Sequence, residues 1–338
     1  MRLISTLEYN RHLSNIDILN NDDVLHIYDV FDQEYINFVL TKGIPKYVVS
    51  DHITKSLLKF NEIQFCGLPL YAKLAVSKIS NNIQYHNDTN TSYCFNFMIN
   101  KKQINRILCI KFVELFELTN FDYTWSAVDQ TCDLSSIIAE THALGNNSPL
   151  NSRALTSLLS PIQLTRKFIE FETITANKSG IENYGGIDWA WKHIMHKLFA
   201  HSAISLITES VGHQLSSVFT EKTVYSVLGL TFPIWIGGYN QANEWKRIGF
   251  DTFDDVIDHG YQSYETLLER CYYAFALNLK LLSDKDKSTE LRLLHKDRLI
   301  KNRELLLQHQ LDKFVNQEIN KLPQDLQETM PKILKYFR

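Results

Sequence analysis

The stretch "VFTEKTVYSVLGLTFPIWIGG", Val218 to Gly238, decides the fold. It reads as a helix over 220–230 that feeds at once into an apolar strand, "FPIWIGG", closed by two glycines. A helix N-terminus carries partial positive charge and unpaired N–H groups. Lys222 is therefore out of place at this helix start unless something negative sits beside it. Glu221 supplies part of that charge, and a bound phosphate would supply more.

Working outward, "HSAISLITES" (201–210) reads as a buried strand that reaches polar residues only at its C-terminal end. Further upstream, "YCFNFMIN" (93–100) is another apolar strand, and "KKQINRILCIKFVELFEL" after it has the apolar spacing of a helix. Before these, "DVLHIYD" (23–29) and "KYVVS" (46–50) read as short buried strands. "QEYINFVLTKG" between them reads as a helix stopped by Gly43. Strand–helix–strand units of this kind build α/β layers. The polar, turn-forming residues 80–92 read as a linker, and 151–172 as helical. Residues 265–338 read as mostly helical, with "STELRLLHKDRLIKNRELLLQHQLDKFVNQEI" as a long amphipathic stretch free of Gly and Pro, a helix that packs across the domains or mediates oligomers. The expected architecture is α/β, with two Rossmann-like domains facing a cleft and a helical C-terminal extension. The boundaries expected are 1–88, 89–265 and 266–338.

The bulk numbers fit this reading. The chain has 338 residues, 44% hydrophobic and 22% charged, a soluble globular balance and long enough for two cores. A net charge of −3 gives no overall nucleic-acid footprint. The five cysteines are widely spaced without a CxxC pair, which argues for a reducing compartment and against a disulfide framework. The start of the chain is broken by polar residues and no run approaches the roughly 18 apolar residues of a membrane span. A cytoplasmic location is expected, in a cell or an infected cell.

Ligands of open α/β sheets collect beyond the C-terminal ends of the strands. Three such ends carry suggestive groups: Asn96 and Asn100 with Arg106 after them; Thr208-Glu209-Ser210; and Thr220-Glu221-Lys222, with Gly237-Gly238 after the next strand. Arg and Lys suit a diphosphate, and a carboxylate suits ribose hydroxyls. The glycines are also explained by a turn alone.

The blocks "SLITES", "VFTEKTVYSVLGLTFPIWIGG" and "GFDTFDDVID" together resemble the donor-domain signature of the α-1,3-fucosyltransferase family, and "FNFMINKKQINR" is similar to that family's entrance to the same domain. A looser likeness extends to bacteriophage and large-virus proteins with Thr-Glu-Lys and Gly-Phe-x-Thr-Phe motifs. The likeness covers about residues 93–260 and is dense over 200–260. It implies a GT-B glycosyltransferase in which Arg106 and Lys222 hold the diphosphate of a nucleotide sugar. Glu221 would meet the ribose, and Glu209 would lie near the nucleotide or the transferred sugar. Thr208-Glu209-Ser210 departs from the family's Glu-Asn-Ser, Phe219 stands where the family has tyrosine, and the family's first-domain acid has no counterpart motif.

The implied reaction is an inverting transfer to a hydroxyl acceptor, a glycan in the first instance, with no cofactor and no metal. Asp51 and Glu209 are the candidate catalytic residues; Asp51, in "VVSDH", is the candidate base and equally a helix N-cap, with His52, His193 and His196 as alternatives. His193 and His196 share a helix face, which permits a metal but lacks a third ligand. Trp189 and Trp191 suit sugar stacking or core packing. Asp254, Asp255 and Asp258 read as a solvated helix face. Two other readings stay open: a phage-type enzyme that glycosylates DNA bases, and a non-catalytic adaptor whose C-terminal helix binds a partner or a second copy of the chain.

Overall fold

Strands covered on both faces read as unbroken apolar runs, and two such runs form the centre of the molecule. The computed structural model describes residues 3–5, 20, 22–27, 41–43, 45–50, 53–54, 64–77, 79, 91–99, 103–125, 134–164, 191, 195–209 and 216–335. Strands β6 (Tyr93–Ile99) and β8 (Ser202–Ile207) lie side by side and parallel, flanked by β7 (Phe121–Trp125) and β10 (Phe232–Trp235). The order across this sheet is β7-β6-β8-β10. The chain moves from β6 outward to β7, then returns past β6 to β8 and on to β10. The order therefore reverses between β6 and β8.

That reversal puts the helices on opposite faces, because parallel crossovers keep one hand. Helix α2 (Ile104–Leu115) follows β6 and packs with Phe95, Phe97, Leu206 and Ile234 in one core. The other face of the same strands, Met98, Ile207 and Trp235, joins a second core with helix α6 (Glu221–Leu228). Adjacent residues thus serve opposite cores, as a period of two requires.

A second parallel sheet has the order β1 (Leu3–Ser5), β2 (Val24–Ile27), β3 (Tyr47–Ser50) and β5 (Gln64–Gly67). Helix α1 (Leu70–Ser77) leaves it and packs against α6. The short strands β4 (Ile53–Thr54) and β9 (Ser216–Ser217) pair antiparallel, a second tie between the segments that carry the two sheets.

The remaining helices among the described residues are α3 (Ser135–Leu144), α4 (Ser152–Leu159), α5 (His196–Ala200), α7 (Gln241–Ile248), α8 (Leu267–Leu277), α9 (Leu279–Ser283), α10 (Lys285–Leu294), α11 (Lys296–Leu307), α12 (Gln310–Asn320) and α13 (Gln324–Leu334). The C-terminal region is helical as expected, but its long amphipathic stretch is three helices rather than one. The stops fall at His295 and at Gln308-His309, where His309 takes a left-handed φ of 61°. Each stop redirects the apolar face: α10 meets β6 and β8, α11 meets α6, and α12 meets α1 and α7. Leu326, Met330 and Ile333 of α13 then close over Val24, Tyr47 and Val49 of the first sheet. Lys73 and Asp312 seal the α1–α12 contact at 3.0 Å.

Other expectations are corrected. Residues 254–256 form a turn, not a helix, so Asp254, Asp255 and Asp258 do not share a helix face. Lys246 pairs with Asp254 at 2.9 Å and Arg298 with Asp255 at 2.7 Å. The helix expected over 151–172 ends at Leu159, and residues 165–172 lie outside the described residues. The helix before Gly43 and the linker lie largely outside them too. Among the described residues no helix is long and apolar enough to cross a membrane.

Candidate functional site

The crevice at the reversal between β6 and β8 is where an open parallel sheet offers its strand ends to a ligand. Five of the expected residues meet there. Glu209, two residues past β8, is 3% exposed and points its carboxylate at the start of α6. The Thr220 backbone N–H donates to Glu209 Oε1 at 3.0 Å, the Thr223 hydroxyl donates to the same oxygen at 2.7 Å, and the Thr220 hydroxyl donates to Oε2. Thr220 is the N-cap, its Oγ1 accepting from the Lys222 N–H. Trp235 Nε1 donates to Thr223 Oγ1 at 3.0 Å, so the network reaches down into the core.

The misfit noted in the sequence is thus answered within the chain. The anion at the helix start is the Glu209 carboxylate, and Lys222 is held between acids. Its ammonium, on a side chain 5% exposed, lies 3.0 Å from Glu221 Oε1, and Glu221 remains 40% exposed. Burial raises the Glu209 pKa above the usual carboxylate range, with Lys222 and the Thr220 hydroxyl pulling the other way. For Glu221, burial also pushes upward, but Lys222, a backbone N–H and Arg106 outweigh it and the pKa falls.

Arg106 stands in the first turn of α2, 3% exposed, its Nε donating to the Thr208 carbonyl at 3.4 Å. Desolvation lowers its pKa, while Glu221 and Glu209 favour its charge. Arg106 and Lys222 therefore face the same carboxylate, Glu221, from two different helices. Neighbouring Asn105, absent from the expectations, ties the strand ends together. Its Nδ2 donates to the Glu209 carbonyl at 3.0 Å and to the Ile236 carbonyl at 3.5 Å. Its Oδ1 is buried without a hydrogen-bond partner among the described residues. Thr223 was also missed, although a hydroxyl three residues after Thr220 lies on the same first turn and was open to notice.

The glycines serve packing. Gly237 has φ 76°, and a Cβ there would come 2.8 Å from Leu267 Cδ1 and 3.2 Å from Asn105 Cβ. Its carbonyl accepts from Arg270 Nε at 2.9 Å. At Gly238 a Cβ would collide with the Gln241 side chain. These glycines let the chain turn against its own residues, so the turn reading is the one the geometry supports. Asn96 is placed away from the crevice. It is buried within β6, pairs in register with Ser205, and donates to the Leu198 carbonyl at 3.2 Å. Asp51, His52, Asn100, Trp189, His193 and Ser210 lie outside the described residues. Trp191 is core, stacked on Tyr225 at 6.2 Å. Among the described residues no group of three or more His, Cys, Asp or Glu is arranged to hold a metal ion.

A cavity of about 750 Å³ lies beyond the end of β10, lined by residues between Tyr239 and Ser263. Neither Arg106 nor Lys222 lines it. No protein-family model, curated protein or solved structure matches the chain. The site stands on its geometry and chemistry.

Proposed function

We propose that the chain is a glycosyltransferase of GT-B type that uses a nucleotide-diphosphate sugar and transfers the sugar, with inversion, to a hydroxyl acceptor such as a glycan. The observation that carries this reading is the convergence of two buried cations, Arg106 and Lys222, on Glu221 at the point where the strand order reverses. Two parallel sheets in one chain, with helices returning from the second to the first, suit the two-domain layout.

In the proposed reaction the acceptor oxygen attacks the anomeric carbon and the bond from that carbon to the diphosphate oxygen breaks. The acceptor proton passes to a carboxylate, for which Asp51 is the candidate. Negative charge grows on the leaving diphosphate, and fixed cations stabilise it. Arg106 and Lys222 take that role, and Glu221, exposed enough to meet solvent, accepts from ribose hydroxyls. Glu209 becomes a positioning residue rather than a catalytic one, since its oxygens already serve Thr220 and Thr223.

The test is a thermal-shift panel of nucleoside diphosphates and nucleotide sugars. A ligand bound only by the folded state raises Tm by mass action, by roughly 2.7 kcal/mol of stability at a hundredfold excess over Kd. One nucleotide series is expected to raise Tm in the wild type, with the shift lost in Lys222→Ala and Arg106→Ala. A flat response across the whole panel rejects the proposal.

A further inference from the structure

The two cations of the crevice belong to different helices. Arg106 stands in the first turn of α2 and Lys222 in the first turn of α6. Two cations grip a diphosphate well only when their separation matches its two linked phosphoryl groups, because misplacement of a binding group is costly. Something in the fold has to set that separation.

Asn105 is placed to do so. It precedes Arg106 and is 1% exposed. Its Nδ2 spans two strand ends, donating to the Glu209 carbonyl past β8 at 3.0 Å and to the Ile236 carbonyl past β10 at 3.5 Å. An acceptor in that place would face two carbonyls, so only an amide N–H₂ suits it. Beside it, Arg106 Nε donates to the Thr208 carbonyl at 3.4 Å. Two successive residues of α2 thus hold two successive carbonyls of the chain that leaves β8.

Glu209 carries the link onward. Its carbonyl takes the Asn105 amide, and its carboxylate takes the Thr220 N–H and the hydroxyls of Thr220 and Thr223, which flank Lys222 in sequence. Trp235 Nε1 donates to Thr223 Oγ1, and Asn105 holds the next carbonyl of that strand end, Ile236. The contacts close into a ring that joins the starts of α2 and α6 to the ends of β8 and β10. Asn105, Glu209, Thr220, Thr223 and Trp235 are each 4% exposed or less, so water does not compete for these bonds. Gly237 leaves the room that the ring needs, since a Cβ there would come 3.2 Å from Asn105 Cβ.

We infer that Asn105 is a positioning residue: through Glu209 it holds Arg106 at the separation from Lys222 that two linked phosphoryl groups require, and so makes the crevice select a diphosphate over a monophosphate. The inference rests on the nucleotide-sugar reading above and adds the source of its selectivity. Asn105 itself touches no ligand.

The test is calorimetry on the full chain with ADP, CDP, GDP and UDP, each beside its monophosphate. The wild type is expected to bind at least one diphosphate about tenfold or more tighter than the matching monophosphate. In Asn105→Ala that preference is expected to vanish, the diphosphate losing about tenfold and the monophosphate changing little. The ratio separates positioning from support of the fold, because a loosened fold weakens both nucleotides alike. Asn105→Ser, which keeps one hydroxyl donor, is measured in the same way and serves if the alanine variant does not fold. A folded variant that keeps the wild-type ratio, or that weakens both nucleotides equally, overturns the inference and leaves the nucleotide-sugar reading standing. So does a wild type that binds diphosphate and monophosphate equally well. Failure of both variants to fold makes Asn105 a stabilising residue and also overturns it. A wild type that binds no nucleotide overturns both.

Discussion

At the scale of single residues, the chemistry of the crevice depends on a buried carboxylate that satisfies the start of α6. Replacing Glu209 by Gln keeps its size but turns one oxygen into a donor that faces the Thr220 or Thr223 hydroxyl. Stability is expected to fall by about 1–3 kcal/mol, read as a shift in the urea midpoint. His26 makes a different prediction. Burial in β2 pushes its imidazole from 6.5 down to about 4, so the folded protein resists the proton that the unfolded chain accepts. Its contribution is complete above pH 6.5 and is lost as pH falls from 6.5 toward 4, by up to about 3 kcal/mol. A His26→Leu variant is expected to show a flatter stability profile over that window. The meeting of Arg106, Glu209, Thr220, Glu221 and Lys222 was legible, because strand ends and helix starts of a parallel sheet share one edge. Asn96 was expected at the site because an asparagine inside an apolar strand stands out in sequence. The structure places it inside β6, where its Nδ2 donates to the Leu198 carbonyl and its Oδ1 is buried without a partner among the described residues.

At the scale of elements, α6 is fixed at both ends by groups distant in sequence. Its first turn is held by Glu209. The carbonyls just past its end, Gly229 at the C-cap and Leu230, accept from the fully buried Arg292 guanidinium at 2.7 and 2.9 Å. A cation there also suits the negative end of the helix. Leu230 adopts φ 56°, uncommon for a side-chain-bearing residue. A Cβ on Gly229 would stand 2.6 Å from Phe199 Cβ and 3.0 Å from its backbone. Gly229→Ala is therefore expected to push α5 away from α6 and cost about 1–3 kcal/mol, visible in thermal unfolding. The existence of α6 and β10 was readable from "EKTVYSVLGLTFPIW". The breaks at His295 and His309 were not, because no Gly or Pro marks them. They follow from three partners lying in three directions, which local propensity does not encode.

At the scale of the whole molecule, two parallel sheets were legible from β-branched runs alternating with helical spacing. That the C-terminal stretch packs across the molecule was legible as well, and α11 on α6 and α12 on α1 show it. Which core each helix completes was not: α8 and α9 complete one core of the second sheet and α13 completes the core of the first. Met330 is fully buried against that first sheet. Met330→Ala is expected to destabilise it by about 2–5 kcal/mol and to speed proteolysis within residues 1–77 more than within 93–235. Equal rates in both segments would mean that the two sheets open as one unit. The return of α13 also orders events in time. The Tyr47 hydroxyl donates to Asp325, 278 residues further along. At ribosomal speeds of about 5–20 residues per second, the first sheet waits on the order of tens of seconds for the helix that covers it. During that interval its bare apolar face is the part of the nascent chain most in need of a chaperone.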